Sequence, residues 1–391
     1  MNSSVVLTGL DRLTEGRAEL PVRGKAALLT NQSGVTRSFK SAVEILLNYK
    51  DIELVLLFSP EHGLYGEAQD QVLTEEKTDP LTGLPVVSLY GNLRKPEPAD
   101  LDRVDLVVID IQDVGARYYT FAYTMALVME AARDAGKPVV VLDRPNPIGG
   151  QSLEGNIVDE GHFTFVGLYP LAVRHGMTIA ELAVFFNDHC GIGAELHIIP
   201  MEGWERKMYW EETGLSWVPP SPNMPAVSTA VVYPGTCLVE ATNLSEGRGT
   251  TRPFEVVGAP FIEPGRLKEN LETLTLPGVI FRPLFFEPTF SKWSGERCGG
   301  VWLHVTDRQI FKSFLTGVAV IREVLALYGD SFKWLEPPYE YEYTIQPIDM
   351  LAGTASLRQT VEAGRDLSEL ERSWEKELEG FRVLRESCLL Y

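Results

Sequence analysis

The chain has 391 residues, too many for one ordinary domain of roughly 100–200, and its 45% hydrophobic content supports substantial cores and excludes overall disorder. A formal charge of −19, from 35 basic and 54 acidic residues, excludes nucleic acid or an anionic membrane surface as a general partner, because both are held by basic stripes. No apolar run approaches the roughly 20 residues that span a bilayer.

The first buried strand is expected at residues 25–30 (KAALLT), followed by a polar turn of Asn31, Gln32, Ser33 and Gly34. Ser38 is the expected N-cap of a helix running to about residue 48, with Ala42, Val43, Leu46 and Leu47 on its inner face. The second strand is the apolar run Leu54, Val55, Leu56, Leu57 and Phe58, which Pro60 and Gly63 end abruptly. It delivers Glu61 and His62 to its carboxyl end, the side of an open parallel sheet where ligands bind.

After a polar loop at 70–82, further strands are expected at 83–90, 105–110 and 137–142. The strand at 105–110 runs into IQDVGARYYT and gathers Asp110, Gln112, Asp113, Arg117, Tyr118 and Tyr119. A helix over 120–135 follows, stopped by Gly136, and the next strand delivers Asp143, Arg144 and Asn146. Residues 151–175 read as loops with short strands. Thr178 and Glu181 form a capping box for a helix to about residue 190, and another strand is expected at 195–199. Four prolines in GLSWVPPSPNMP (214–225) exclude regular structure and mark a linker or a cleft crossing.

Beyond it come an apolar stretch at 227–239 and the polar loop ATNLSEGRGTTRPFE. A helix at 267–274, strands at 279–286 and 300–305, and helices at 311–328 and 367–382 complete the chain. The pattern is α/β: a parallel-sheet domain over 1–225 and a smaller α+β domain over 226–391.

No GxGxxG follows the first strand, and GxxxxGK[ST], GxSxG and HExxH are absent, which removes support for a nucleotide, a serine nucleophile or a zinc peptidase. Cys190, Cys237, Cys298 and Cys388 have no metal-type spacing and are expected as buried thiols; no metal or other cofactor is expected. The amino terminus carries no basic-then-apolar export signal, so the chain as written is expected to be cytoplasmic, or periplasmic or secreted if such a signal was removed. Nothing in the sequence points to an oligomeric state.

Glu61 has two readings, a turn cap or, half-buried among Phe58, Tyr65 and Tyr90, a general acid with a raised pKa. Asp110 or Asp113 would complete a carboxylate pair of the kind glycoside hydrolysis uses, or would fix a neighbouring turn. Tyr118 and Tyr119 suit stacking on a sugar or donation to a transition-state oxygen. Arg117, Arg144, Arg174, Arg248 and Arg252 stand beside Gly, Pro or Tyr, where guanidinium forks take a carboxylate or phosphate, or bridge loop carbonyls. His62 reads as a hydrogen-bonded structural residue or a site residue. His175, just before a helix amino terminus, suits an anionic ligand or a cap.

LLTNQSGVT, FSPEHGLYGE, DIQDVGARYYT, LDRPNPIGG, VRHGMT, PPSPNMP, YPGTCLVEATNLSEGRGTTRPFE and HVTDR occur in order over nearly the whole chain, from about residue 9 to residue 391. Together they resemble the exo-acting β-N-acetylmuramidases. The resemblance implies a Rossmann-like amino-terminal domain, a smaller second domain with the active-site cleft between the two, and release of N-acetylmuramic acid from the non-reducing end of peptidoglycan fragments. It implies Glu61 as the catalytic acid, and cleft positions for Gln112, Arg117, Tyr118 and Tyr119 of DIQDVGARYYT and for Glu246 and Arg248 of the SEGRG loop; Asn146 and Asn223 are further candidate substrate-binding residues. The lactyl carboxylate of that sugar calls for an arginine, with Arg117, Arg144, Arg248 and Arg252 as the choices. Attack on the sugar would come from water activated by Asp110 or Asp113, or from the substrate's own acetamido group. The other class considered is a non-catalytic muropeptide- or carbohydrate-binding protein on the same scaffold.

Overall fold

The computed structural model describes residues 5–70, 72, 77–91 and 93–391; residues 71 and 73–76 of the expected 70–82 loop lie outside the described residues. Six parallel strands form the larger sheet: β1 (Gly24–Thr30), β2 (Ile52–Ser59), β3 (Val86–Ser88), β4 (Leu106–Asp110), β5 (Val139–Leu142) and β6 (Leu196–Ile199). Their order is β3-β2-β1-β4-β5-β6, a Rossmann-like arrangement whose direction reverses between β1 and β4. The third strand is shorter than the expected 83–90, and only its three central residues pair with β2.

Alternation splits the sheet's side chains between two layers. Ala26, Leu28, Leu106, Val108 and Val140 face a core shared with α1 (Gly9–Thr14) and α2 (Ala42–Leu47). Ala27, Leu29, Val107, Ile109 and Val141 face the other core. There they meet α4 (Phe121–Asp134) and α5 (Ile179–His189), while α3 (Pro98–Leu101) precedes β4. A register shift at Ala26/Ala27 lets Leu54 and Leu57 share one face while Leu56 and Phe58 take the other. α2 begins later than expected, because Ser41, not Ser38, accepts the first-turn N–H. The Thr178–Glu181 capping box starts α5 as its residues require.

The second part opens with α6 (Val227–Thr236), buried on nearly every side. That explains its lack of a polar stripe. β7 (Val256–Ala259), α7 (Pro264–Thr273), β8 (Val279–Phe286) and β9 (Cys298–Val305) follow, the three strands forming an antiparallel sheet in the order β7-β9-β8. α8 (Ser313–Tyr328), α9 (Pro347–Ala352), α10 (Ser356–Glu362) and α11 (Leu367–Glu386) complete it. The second core is continuous from Leu29 and Ile109 through Val231 and Leu238 to Val318 and Leu351, so the two parts share one packed interior. Among the described residues no helix is long and apolar enough to cross a membrane.

Candidate active site

β2 ends at Ser59, and Pro60 turns the chain so that Glu61 sits 7% exposed at the strand's carboxyl end. His62 takes a left-handed backbone (φ +74°), a strained state for a non-glycine residue that its surroundings must hold in place. The Ala68 carbonyl contacts His62 Nδ1 at 2.9 Å, and the Phe121 ring lies edge-on to the imidazole. Thr120, the residue before α4, donates its hydroxyl to Glu61 Oε2 at 2.9 Å.

Glu61 opens onto a cleft that it lines together with His62, Thr120, Arg248 and Glu340. Its aromatic wall is made of Tyr118, Tyr119, Tyr233 and Phe254: the Tyr233 ring meets the other three edge-on, at 6.2, 6.3 and 4.8 Å between centroids. The Tyr118 hydroxyl is taken up by the Pro234 carbonyl at 3.0 Å, so the ring of this buried residue is what lines the cleft. Ser221, Asn223 and Met224 of the proline-rich crossing form another side. That segment is pinned across the carboxyl end of β1 by Gln32, donating to the Pro219 carbonyl at 2.8 Å, and Asn31, donating to the Pro220 carbonyl at 3.2 Å.

The polar floor comes from the second part of the chain. Gly247 (φ +83°) turns the SEGRG loop, and Arg248 reaches in to meet Glu240 at 2.5 Å, Asp70 at 3.1 Å and Glu246 at 3.5 Å. The Glu240 carboxylate also accepts the Tyr339 hydroxyl at 2.5 Å. Glu340, 8% exposed, accepts from the Tyr90 hydroxyl at 3.0 Å, and burial together with the charge of Glu61 pushes its carboxyl up to about 8. The site thus combines buried carboxylates, one of them with a raised pKa, and an aromatic wall. Such a combination suits proton transfer to a bound saccharide.

The model of the family "Exo-beta-N-acetylmuramidase NamZ, N-terminal" matches residues 26–228, and its C-terminal counterpart matches residues 231–391. The chain belongs to this family. It is 47% identical over 386 residues to the peptidoglycan beta-N-acetylmuramidase NamZ of Bacillus subtilis (strain 168), covering 99% of this chain and 91% of that protein. Two crystal structures of DUF1343 family proteins from Bacteroides fragilis NCTC 9343 superpose with TM-scores of 0.89 and 0.78 at 35% and 28% identity, each covering 99% of both chains.

Of the residues singled out in the family's motifs, Glu61, His62, Tyr118, Tyr119, Asn223 and Arg248 line the cleft. The others do not, and each has a physical reason. Asp110, fully buried, is bound at both oxygens by Arg144, at 2.6 and 2.8 Å, which corrects the expectation that either reaches a sugar. Asp113 accepts from the Gly115 N–H at 2.6 Å and lies 3.3 Å from His175 Nε2, while His175 Nδ1 accepts from the Met177 N–H, so both serve a turn. Gln112 bridges the Asp113 and Pro145 carbonyls, and Asn146 donates to the Met177 carbonyl.

Arg117 is spent on four backbone carbonyls. Arg174 pairs with Glu154 at 2.8 Å. Glu246 is held by Lys292 at 2.8 Å behind Arg248. Arg252 lies over Trp302 in a separate hollow beside β9. Among the residues that sequence reasoning passed over are Asp70, Thr120, Ser221, Glu240, Tyr339 and Glu340, and Tyr233 and Phe254 of the aromatic wall. The one available signal was PPYEYEY at 337–343, where acidic and aromatic residues alternate inside a stretch that prolines keep irregular.

Proposed function

We propose that this protein is a glycoside hydrolase that releases N-acetylmuramic acid from the non-reducing end of peptidoglycan fragments, with Glu61 as the general acid. The observation that carries the reading is the Glu61 carboxyl, buried at the end of β2 and opening onto a cleft walled by aromatic rings. Family membership and a 47% identical relative named as a peptidoglycan beta-N-acetylmuramidase support the substrate class.

In this reading the sugar stacks against the Tyr118–Tyr233 wall, and Glu61 gives its proton to the glycosidic oxygen as the bond to the anomeric carbon breaks. Thr120 steadies the carboxylate left behind. Asp110 is locked to Arg144, and Asp113 stands outside the cleft. With those two outside the cleft, Asp70 and Glu240 held by Arg248, and Glu340 held by the Tyr90 hydroxyl, the arrangement supports attack by the substrate's own acetamido oxygen. Water then opens that cyclic intermediate and returns a proton to Glu61, so the net reaction consumes one water.

The test is Glu61→Gln on N-acetylmuramic acid glycosides with alkyl and with nitrophenyl leaving groups. The alkyl glycoside, which needs the proton, should lose about 10²- to 10⁴-fold in rate. The nitrophenyl one should lose much less. A variant that cleaves the alkyl glycoside at the wild-type rate removes Glu61 from the role.

A further inference from the structure

Behind the Arg248 fork, in the loop between β8 and β9, the Lys292 ammonium is drawn inward, its side chain 22% exposed. Its three protons are matched by three carbonyls, those of Val239 at 3.0 Å, Glu240 at 3.3 Å and Thr242 at 3.0 Å. The Glu246 carboxylate, 2% exposed, lies 2.8 Å from the same nitrogen. With its protons directed to the carbonyls, Lys292 meets Glu246 as a charge.

The loop is shaped to bring the ammonium there. Ser291 and Trp293, on either side of Lys292, both take left-handed backbones (φ +66° and +60°), an outlier for a side chain as bulky as Trp. The Trp293 indole N–H donates to the Asn243 carbonyl at 2.6 Å and fixes the bend. Thr289 donates from its N–H at 2.9 Å and from its hydroxyl at 2.8 Å to the carbonyl of Gly249, the residue after Arg248. A Cβ at Gly249 would lie 2.6–2.8 Å from backbone atoms of Thr289 and Phe290, so the two loops touch main chain to main chain.

The charges around Arg248 set what it can still bind. The guanidinium meets Glu240, Asp70 and Glu246 at 2.5, 3.1 and 3.5 Å, while the Tyr339 hydroxyl holds Glu240 from the other side. The two inner carboxylates, Glu240 and Glu246, are thus matched by two cations, Arg248 and Lys292. Asp70, its side chain 30% exposed, is the outer carboxylate, and its place on the guanidinium can pass to a ligand carboxylate with no change in local charge. Without Lys292, both inner carboxylates would fall to Arg248 alone. A ligand carboxylate would then meet a site that is already negative.

We propose that Lys292 is a positioning residue for substrate specificity: by holding the charge of Glu246 it leaves the outer side of the Arg248 guanidinium to the carboxylate of an acidic sugar. The inference rests on the reading of the cleft given above.

The test is KM, at neutral pH, for an N-acetylmuramic acid glycoside and for its lactyl methyl ester, which is close in shape and carries no charge. Wild type should prefer the acid. In Lys292→Met, which keeps the aliphatic stem, that preference should shrink about 10-fold or more through a raised KM for the acid, while the ester responds little. Glu246→Gln removes the inner charge and should strengthen the preference about 3-fold or more; added to Lys292→Met, it should restore most of what was lost. Equal losses on acid and ester in Lys292→Met, or a double variant as indiscriminate as Lys292→Met, mark a merely structural staple and overturn the inference alone. If Lys292→Met fails to fold, an unchanged or weakened preference in Glu246→Gln overturns it. Wild-type protein that is active but does not distinguish acid from ester overturns the inference and leaves the activity standing. Wild-type protein that cleaves neither glycoside overturns both together.

Discussion

Arg248 is the only guanidinium among the described residues that line the cleft, and three carboxylates surround it. They are not equivalent: the Asp70 side chain is 30% exposed, against 11% for Glu240 and 2% for Glu246. An incoming lactyl carboxylate would take the place of Asp70 on the solvent side, while Glu240 and Glu246 keep the fork aimed. A charge-assisted hydrogen bond of this kind is worth roughly 1.5–3 kcal/mol. Arg248→Ala should therefore raise KM for an N-acetylmuramic acid glycoside by about 10- to 100-fold and leave the matching N-acetylglucosamine glycoside nearly unchanged. Arg248→Lys, which keeps the charge and loses the fork, should fall between. Steady-state kinetics on the two glycosides decide it, and an undiminished preference for the muramic sugar removes Arg248 from recognition.

The elements legible in the sequence were those whose burial is uniform. β1, β2, β4 and β5 read as short apolar runs because a parallel sheet covered on both faces asks nothing else of them, and their carboxyl ends locate the polar clusters. Which clusters face the cleft was not legible. Asp110 and Glu61 look alike at a strand end, and only the fold brings Arg144 onto one and Thr120 onto the other. Glu340 was hidden for a related reason: its loop has no period, and its partner Tyr90 lies in the other part of the chain.

The α6–α8 contact was equally invisible. Gly235 and Gly317 meet backbone to backbone, and a methyl group on either would run into the other helix. On helix propensity alone, alanine at 317 would gain about 1 kcal/mol. The collision predicts the opposite sign, a loss of about 1–3 kcal/mol, readable as a lower denaturant midpoint for Gly317→Ala. A more stable variant would show that the seam can relax.

Arg117 was expected to reach a ligand and instead ties the molecule together. From 1% exposure its Nη1 donates to the carbonyls of Asn156 and Leu171, at 2.8 and 3.0 Å, and its Nη2 to those of Leu351 and Ala352, at 2.9 and 2.8 Å. These four acceptors come from two segments of the first part and from α9 of the second. Removing the guanidinium leaves buried acceptors unpaired at roughly 1–3 kcal/mol each. Arg117→Met should thus lower stability by at least about 3 kcal/mol in urea titrations, while the enzyme that remains folded keeps its KM. A large rise in KM with unchanged stability would return Arg117 to the site.

The clasp also bears on how a substrate enters. The carbonyls of α9 are fastened to the loops around residues 156 and 171, which ties the second part of the chain to the first beside the cleft that Leu351 helps to line. A cleft tied in this way is expected to work as a fixed socket and not as a pair of jaws, with saccharide entering and leaving by one mouth.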